Sequence, residues 1–394
     1  MSSLSWIDFD EVERQRARWI MALFQEKESR DELGLGPIRD SIADHLFPGT
    51  STIQTRLRYM LFVPWIYTMV EKHDSSPEQL AAEARAREIR LIDALRAGGE
   101  DKGIIGSYAG ANLQRLASSI YWAGLGSLGI RQFHGSQEAY FATVPSLRRR
   151  RHRAGSSEDA LAAEDHDLLT WRAGMPPAPD DLLDNAGFRL TSDEAGFLID
   201  RLVDNQPKSL FTHLAKAGRH ADCEFIWEHP DLATFPDTAR RLVEHAEVFS
   251  QVMHGASLLY NLMLSEMRQE EKWIEDYRDA LAKWADEIEP TVIVSWSLDD
   301  FWQRIGHENH RVREPARLFV RRWLELTRQG AAQVPDLPVA RDLVRTRESR
   351  LKRAQSRFVN RSVLDRWGGS SGTHRLAFRW TEASSHIRDL VDAR

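Results

Sequence analysis

Two short stretches of this sequence bring together residue types that can do chemistry. GHENH, residues 306–310, sets His307, Glu308 and His310 side by side. On a helix His307 and His310 share a face, so two imidazoles can approach one metal ion, but a catalytic zinc takes three protein ligands and keeps a position open. The zincin order spaces its histidines four apart; here they are three apart and no third ligand follows from the sequence. Solvated histidines on a surface helix account for the stretch better, and no metal is expected. GLGSLG, residues 124–129, carries the glycine spacing of a dinucleotide-binding loop. Such a loop follows a strand, opens a helix and meets an acid about 20 residues on. The preceding NLQRLASSIYW instead spaces Leu113, Leu116 and Ile120 as a helix does, and no convincing acid stands at that distance. The glycines are expected to permit a turn or a close approach, and no cofactor is expected.

The arginine-rich stretch VRTRESRLKRAQSRFVNRSVLDRW, residues 344–367, is more informative. Read as one helix, Arg350, Arg353, Arg357 and Arg361 fall within roughly a quarter of the circumference at about 100° per residue. Val344, Leu351, Ala354 and Phe358 take the adjoining side. WGGSSG then reads as a flexible turn into HRLAFRW, residues 374–380, where Leu376, Phe378 and Trp380 alternate with Arg375, Ala377 and Arg379. That alternation predicts a strand with Arg375 and Arg379 on its solvent face. Guanidinium forks suit phosphates, so these six arginines are the candidates for contact with DNA or RNA. The alternative is a solvated helix whose arginines pair with acids of the body.

FPGTSTIQTRLRYMLFVPWIY, residues 47–67, offers a second anion candidate. Pro48-Gly49 makes a turn, Thr50, Ser51 or Thr52 can cap, and Ile53, Leu57, Leu61, Trp65 and Met69 recur every four residues as the stripe of a buried helix containing Pro64. Thr50, Ser51, Thr52 and Arg56 would then build an anion site at a helix N-terminus. Arg56 and Arg58, two apart, project to different faces, and pairing of Arg56 with an acid such as Asp40 or Asp44 is the preferred reading. The apolar run is too short to span a membrane, which takes about 20 apolar residues.

The elements that must position these residues are mostly helical. Ser76-Pro77 with Gln79, and Thr191 with Glu194, are capping boxes; the first predicts a helix that stops at Gly98-Gly99. Residues 236–289 keep a helical period, with Trp273, Tyr277, Leu281, Trp284 and Ile288 as one stripe ended by Pro290. TVIVSW, residues 291–296, and HRLAFRW are the strand candidates. The expected fold is therefore mainly α with a minor β element, a multi-helix body followed by a C-terminal helix–strand–helix region. The expected divisions are an N-terminal helical domain over 1–145, a charged linker or loop over 146–167, a central helical domain over 168–330 and a basic C-terminal region over 331–394.

At 394 residues, 42% hydrophobic and 28% charged, the chain has globular composition. The opening MSSLSWIDFDEVERQR lacks the basic start and apolar core of a secretory signal, so cytoplasm is the expected location. Cys223 is the only cysteine, which excludes an internal disulfide. The net charge of −6 is uneven: residues 345–394 hold twelve Lys+Arg against five Asp+Glu, a local +7 that leaves −13 on the other 344. A polyanion would meet the basic end.

Several stretches together, SLSWIDFD, RDELGLGPIRD, FPGTSTIQTRLRYMLFVPWIY, GLGSLGIRQFHGS, MHGASLLYNLML and SGTHRLAFRW, resemble a bacterial family catalogued as a domain of unknown function. The resemblance covers nearly the whole chain and transfers no chemistry to single positions. It implies a setting near phage-defence genes, including helicases and phospholipase-D-like nucleases. The function expected is a non-enzymatic defence component that contacts nucleic acid, or a partner that processes it, through the basic C-terminal region. The alternatives are a purely structural interaction subunit and a metal-dependent hydrolase using His307, Glu308 and His310.

Overall fold

A computed structural model describes residues 31–155, 169–306 and 312–394. His307, Glu308 and His310 lie outside these, as does the opening SLSWIDFD. The described residues form fifteen α-helices: α1 (Gly36–Leu46), α2 (Tyr59–Glu71), α3 (Pro77–Ala97), α4 (Ala117–Ser127), α5 (Gln137–Gly155), α6 (Ser192–Asn205), α7 (Leu210–Ala217), α8 (Asp237–Arg268), α9 (Glu271–Glu287), α10 (Pro290–Ser295), α11 (Leu298–Arg304), α12 (Glu314–Gly330), α13 (Pro338–Lys352), α14 (Arg361–Asp365) and α15 (Trp380–Val391). One isolated antiparallel bridge, Arg131 to Trp171, is the only β pairing among the described residues. The protein is mainly α. It divides into two compact units: unit 1 draws on Met1–Ile42 and Arg241–Phe378, unit 2 on Ala43–Arg240 and Arg379–Arg394.

Neither expected strand forms: TVIVSW is helical and HRLAFRW is irregular, turning at its end into α15. In TVIVSW, Pro290 occupies the first helical position of α10, where a missing N–H does no harm. The carbonyls at its end are taken by Arg328, whose Nε donates to Ile293 O at 2.8 Å and Nη2 to Trp296 O at 2.9 Å. In HRLAFRW the alternation is broken by Phe378 at φ 51° and Arg379 at φ 62°, both in the left-handed region that an extended chain never enters. The capping boxes do form: Gln79 N donates to Ser76 Oγ and Ser76 N to the Gln79 side chain, and α3 stops before Gly98. Thr191 and Glu194 repeat the arrangement on α6. The basic residues 146–155, part of the segment expected as a linker, continue α5.

In unit 1 the long helix α8 is the core. Its Val243, Phe249, Val252, Leu259 and Leu262 are buried, and the bare Cα of Gly255 leaves room for the Trp284 ring to lie directly on the helix. Trp284 and Trp323 then donate their indole N–H groups to α8 carbonyls, at Gln251 (2.8 Å) and Val252 (2.7 Å). The stripe of 273–288 is split from α8 by Gln269 at φ 58°.

In unit 2, α2 starts at Tyr59, not at Thr50, and is buried around its whole circumference from Tyr59 to Tyr67. Residues 47–58 before it are irregular. GLGSLG straddles the end of α4, with no strand before it, and its glycines serve packing. A Cβ on Gly124 would run into the Gly49 carbonyl oxygen, with Met60 Cε at 2.8 Å. Leu116 offers no side-chain cap to α4; the buried Glu88 of α3 replaces it, accepting from Ser118 N at 2.9 Å.

Two measurements check this packing. Gly124→Ala should lower the melting temperature, because overlap with fixed backbone costs about 1–3 kcal/mol, whereas helix propensity alone predicts a gain of about 1 kcal/mol. Burial pushes the Glu88 carboxyl up to about 7 from 4.5. The folded state therefore binds more protons than the unfolded state between those values, and stability declines by about 3 kcal/mol as pH rises through that window. Glu88→Gln should abolish that component, so denaturant titrations should show the variant gaining on the wild type between pH 5 and 8.

Candidate binding cleft in unit 1

Arg350, Arg353, Arg357 and Arg361, expected on one helix face, do not share it, and Arg375 and Arg379 do not lie on a strand. α13 ends at Lys352, and Arg353, at φ 51°, turns the chain away. The buried Glu348 enforces the reversal: its carboxylate accepts from the Ser356 hydroxyl and from Arg357 N at 2.9 Å, and burial raises its pKa. Arg357 is thereby carried inward, where Nη1 donates to Glu32 Oε1 and to the Tyr260 hydroxyl, both at 2.9 Å. Lys352 holds the other Glu32 oxygen at 3.1 Å. Arg361 opens a separate helix, α14, capped by Asn360, and pairs with Asp365 at 2.9 Å.

The turn WGGSSG is pinned rather than flexible. Asn261 bonds Ser371 in both directions, Nδ2 to O at 2.8 Å and Oδ1 from N at 2.9 Å, and the Tyr277 hydroxyl donates to Gly369 O at 2.6 Å. Arg375 after it is half-buried. Arg379, in unit 2, pairs with Asp44 and donates to Thr50 O at 2.8 Å.

The 47–58 stretch is likewise committed to structure. Arg56 pairs with Asp389, Nε to Oδ1 at 2.9 Å and Nη2 to Oδ1 at 2.8 Å, while Leu57 N donates to Asp389 Oδ2 at 2.8 Å. The partner is thus neither Asp40 nor Asp44. Thr50 turns its hydroxyl to Phe47 O at 2.6 Å, Ser51 is half-buried and Thr52 exposed, and no helix begins beside them. Arg58 pairs with the buried Glu194 at 2.7 Å.

Of the expected residues, Arg350 faces a large opening. A cleft of about 1630 Å³ runs between α12 and α13. Arg347 lies over the Phe319 ring at 5.6 Å, which sets the end of α13 beside the start of α12. Arg313, Arg317, Arg347 and Arg350 gather at that end, with Leu318 (39% exposed) and Leu351 (41%) between them. Asp31 and Glu314 stand at this end as well; the two Asp31 oxygens accept from Leu35 N and Gly36 N at 2.6 Å, and the Asp31 charge acts on Arg347. Glu325 and Asp342 line the opposite end, beside the exposed Val339. Among the described residues Arg313, Arg322 and Arg350 make no ion pair. The described lining contains no histidine, cysteine or serine. No group of three His, Cys, Asp or Glu side chains among the described residues is placed to hold a metal ion, and no described helix is long and apolar enough to cross a membrane. Sequence reading missed Arg313, Arg317 and Arg322: residues 313–330 hold five arginines against two acids, but the denser arginine run at 344–367 outweighed them.

The two classes of arginine separate by thermodynamics. Asp389→Asn strips the half-buried Arg56 of its countercharge and should cost about 3–5 kcal/mol. Arg350→Gln and Arg353→Gln, at exposed positions, should each stay within about 0.5 kcal/mol of the wild type. Equilibrium unfolding of the three variants tests the division.

No curated protein and no solved structure matches the chain. One family model does, and it matches residues 1–394. The chain belongs to DUF6361, a family of unknown function.

Proposed function

We propose that the chain works by binding rather than by catalysis, as a cytoplasmic component of a bacterial anti-phage defence assembly, and that the α12–α13 cleft is where it holds its partner. One observation carries the binding reading. The cleft sets unpaired guanidinium groups beside exposed leucines. Exposed apolar side chains inside a concave, charged rim are the makeup of a protein-recognition surface. The defence setting is what the resemblance of those stretches implies, with a helicase or a phospholipase-D-like nuclease as the partner it suggests.

A second reading, direct contact with DNA or RNA, is supported by the exposure of Arg350 and Arg353. It predicts weakly sequence-specific binding whose affinity falls with salt at a log–log slope of about −0.9 per phosphate contacted on duplex DNA.

Affinity purification from the native host separates the readings. The wild type should bring down a protein partner that is lost with the variant Arg313→Glu, Arg350→Glu, Leu351→Glu, while the circular dichroism melting curve of the variant is unchanged. Recovery of the wild type alone, or equal recovery with the variant, overturns the binding role of the cleft. Recovery of nucleic acid alone, lost with the same variant, selects the second reading.

A further inference from the structure

The cleft has a shape and polarity that specify its occupant. On α12, Leu318, Arg322, Leu326 and Gln329 line it at steps of four, four and three; on α13, Val339, Leu343, Thr346 and Arg350 do so at steps of four, three and four. Each helix thus carries a second stripe at helical period, distinct from the one it buries, which on α12 holds Phe319, Val320, Trp323 and Leu324. Val339 is an apolar side chain left 63% exposed. Two packed helices with a stripe each between them form the groove into which a third helix lays its ridge.

Charge sets the direction. The end formed by the start of α12 and the end of α13 sets Arg313, Arg317, Arg347 and Arg350 against Asp31 and Glu314 and is net basic, and the end holding Glu325 and Asp342 is acidic. A helix placed with its N-terminus at the basic end would set first-turn carboxylates against Arg313 and Arg350, and last-turn lysines or arginines against Glu325 and Asp342. That is also the charge order which complements a helix's own dipole. The walls, 17 and 15 residues long, run about 22–25 Å at 1.5 Å per residue, room for roughly four turns.

We propose that the cleft receives an amphipathic helix of about fourteen residues from a partner protein, acidic in its first turn, basic in its last, with its N-terminus beside Leu351. This rests on the protein-binding reading above and names the chemistry of the partner. A phosphate backbone would leave Leu318, Leu351 and Val339 facing a charged chain and would meet Glu325 and Asp342 with like charge.

The test uses the full chain in its native host, with a photo-crosslinking benzoylphenylalanine at Leu351, at Val339, or at the exposed Val359 (72%), which lies outside the cleft, as control. Irradiation followed by mass spectrometry should give yields at Leu351 and Val339 at least five times those at Val359. The crosslinks should map to one peptide of another protein, with apolar residues at three- and four-residue steps, its acidic end on Leu351 and its basic end on Val339. Crosslinks to this chain itself, to nucleic acid or to a peptide of opposite polarity overturn the proposal, as do yields equal to the control. Purification and crosslinking fail separately. A partner lost with the cleft variant but crosslinked in the wrong polarity sinks the helix and keeps the binding role. The absence of any partner sinks both.

Discussion

A guanidinium group taken out of water has to be given an oxygen, and that requirement sorts the arginines of this protein into those that build it and those it can spend. Burying an unpaired charge is costly enough that the fold does not tolerate it. Arg56 goes to Asp389, Arg58 to Glu194, Arg357 to Glu32 and Arg379 to Asp44, and in each case the acid is at most 23% exposed. These pairs hold irregular backbone where no helix or sheet ladder can satisfy it. Residues 47–58 show the pattern: the Tyr121 hydroxyl donates to Arg56 O at 2.7 Å while accepting from Thr55 N and Arg56 N. Asp389 takes Leu57 N, and Arg379 takes Thr50 O. Other arginines keep their heads in solvent, Arg115, Arg172 and Arg189 singly and those of α12 and α13 grouped around one cleft.

The same economy of polar groups shapes the rim of the cleft. α13 would run on if sequence propensity decided, but Glu348 captures Ser356 and Arg357 and folds the chain back under it. Glu32 is held between Lys352 and Arg357 at the same place. The end of the wall that carries Arg350 and Leu351 is thereby anchored by buried ion pairs, while the residues facing the cleft stay free. Anchored backbone with free side chains is how a site keeps its geometry ready before a partner arrives.

Local signals in the sequence were readable and non-local ones were not. Ser76 with Gln79 and Thr191 with Glu194 form the capping boxes their spacing announces, and the period of 236–289 yields α8 and α9, because both effects act within one or two turns. GLGSLG was legible as packing, since the helical spacing before it left no strand. The arginine stripe dissolved for a reason outside its own stretch: Arg357 is drawn to Glu32, 325 residues away. Asn360, the cap of α14, was a local sign that the helix restarts, and it was outweighed by the regular spacing of the arginines. TVIVSW illustrates the limit of β propensity. Its valines favour a strand, but no edge among the described residues pairs with it, and Pro290 together with Arg328 closes a helical turn instead. The partner of Arg56 was beyond reach for the same reason, lying 333 residues further on.

The place of α15 in unit 2 has a consequence for how the chain is made. Residues 43–240 leave the ribosome first, yet their inner segment is completed by Asp389 and Arg379, which emerge about 140 residues later, on the order of ten seconds at bacterial elongation rates. During that interval Arg56 has no countercharge, Leu57 N no acceptor, and the faces of Phe47 and Phe211 that later receive Trp380 and His386 stay open to water. Unit 1 has the mirror-image delay, since Glu32 is translated long before Lys352 and Arg357. Neither unit can settle while the chain is still growing through residues 241–378, so folding is pushed towards completion of the whole polypeptide, with a prolonged need for protection from chaperones. A truncated message would then yield not one finished unit and one missing one, but two unfinished ones, both exposed to proteolysis.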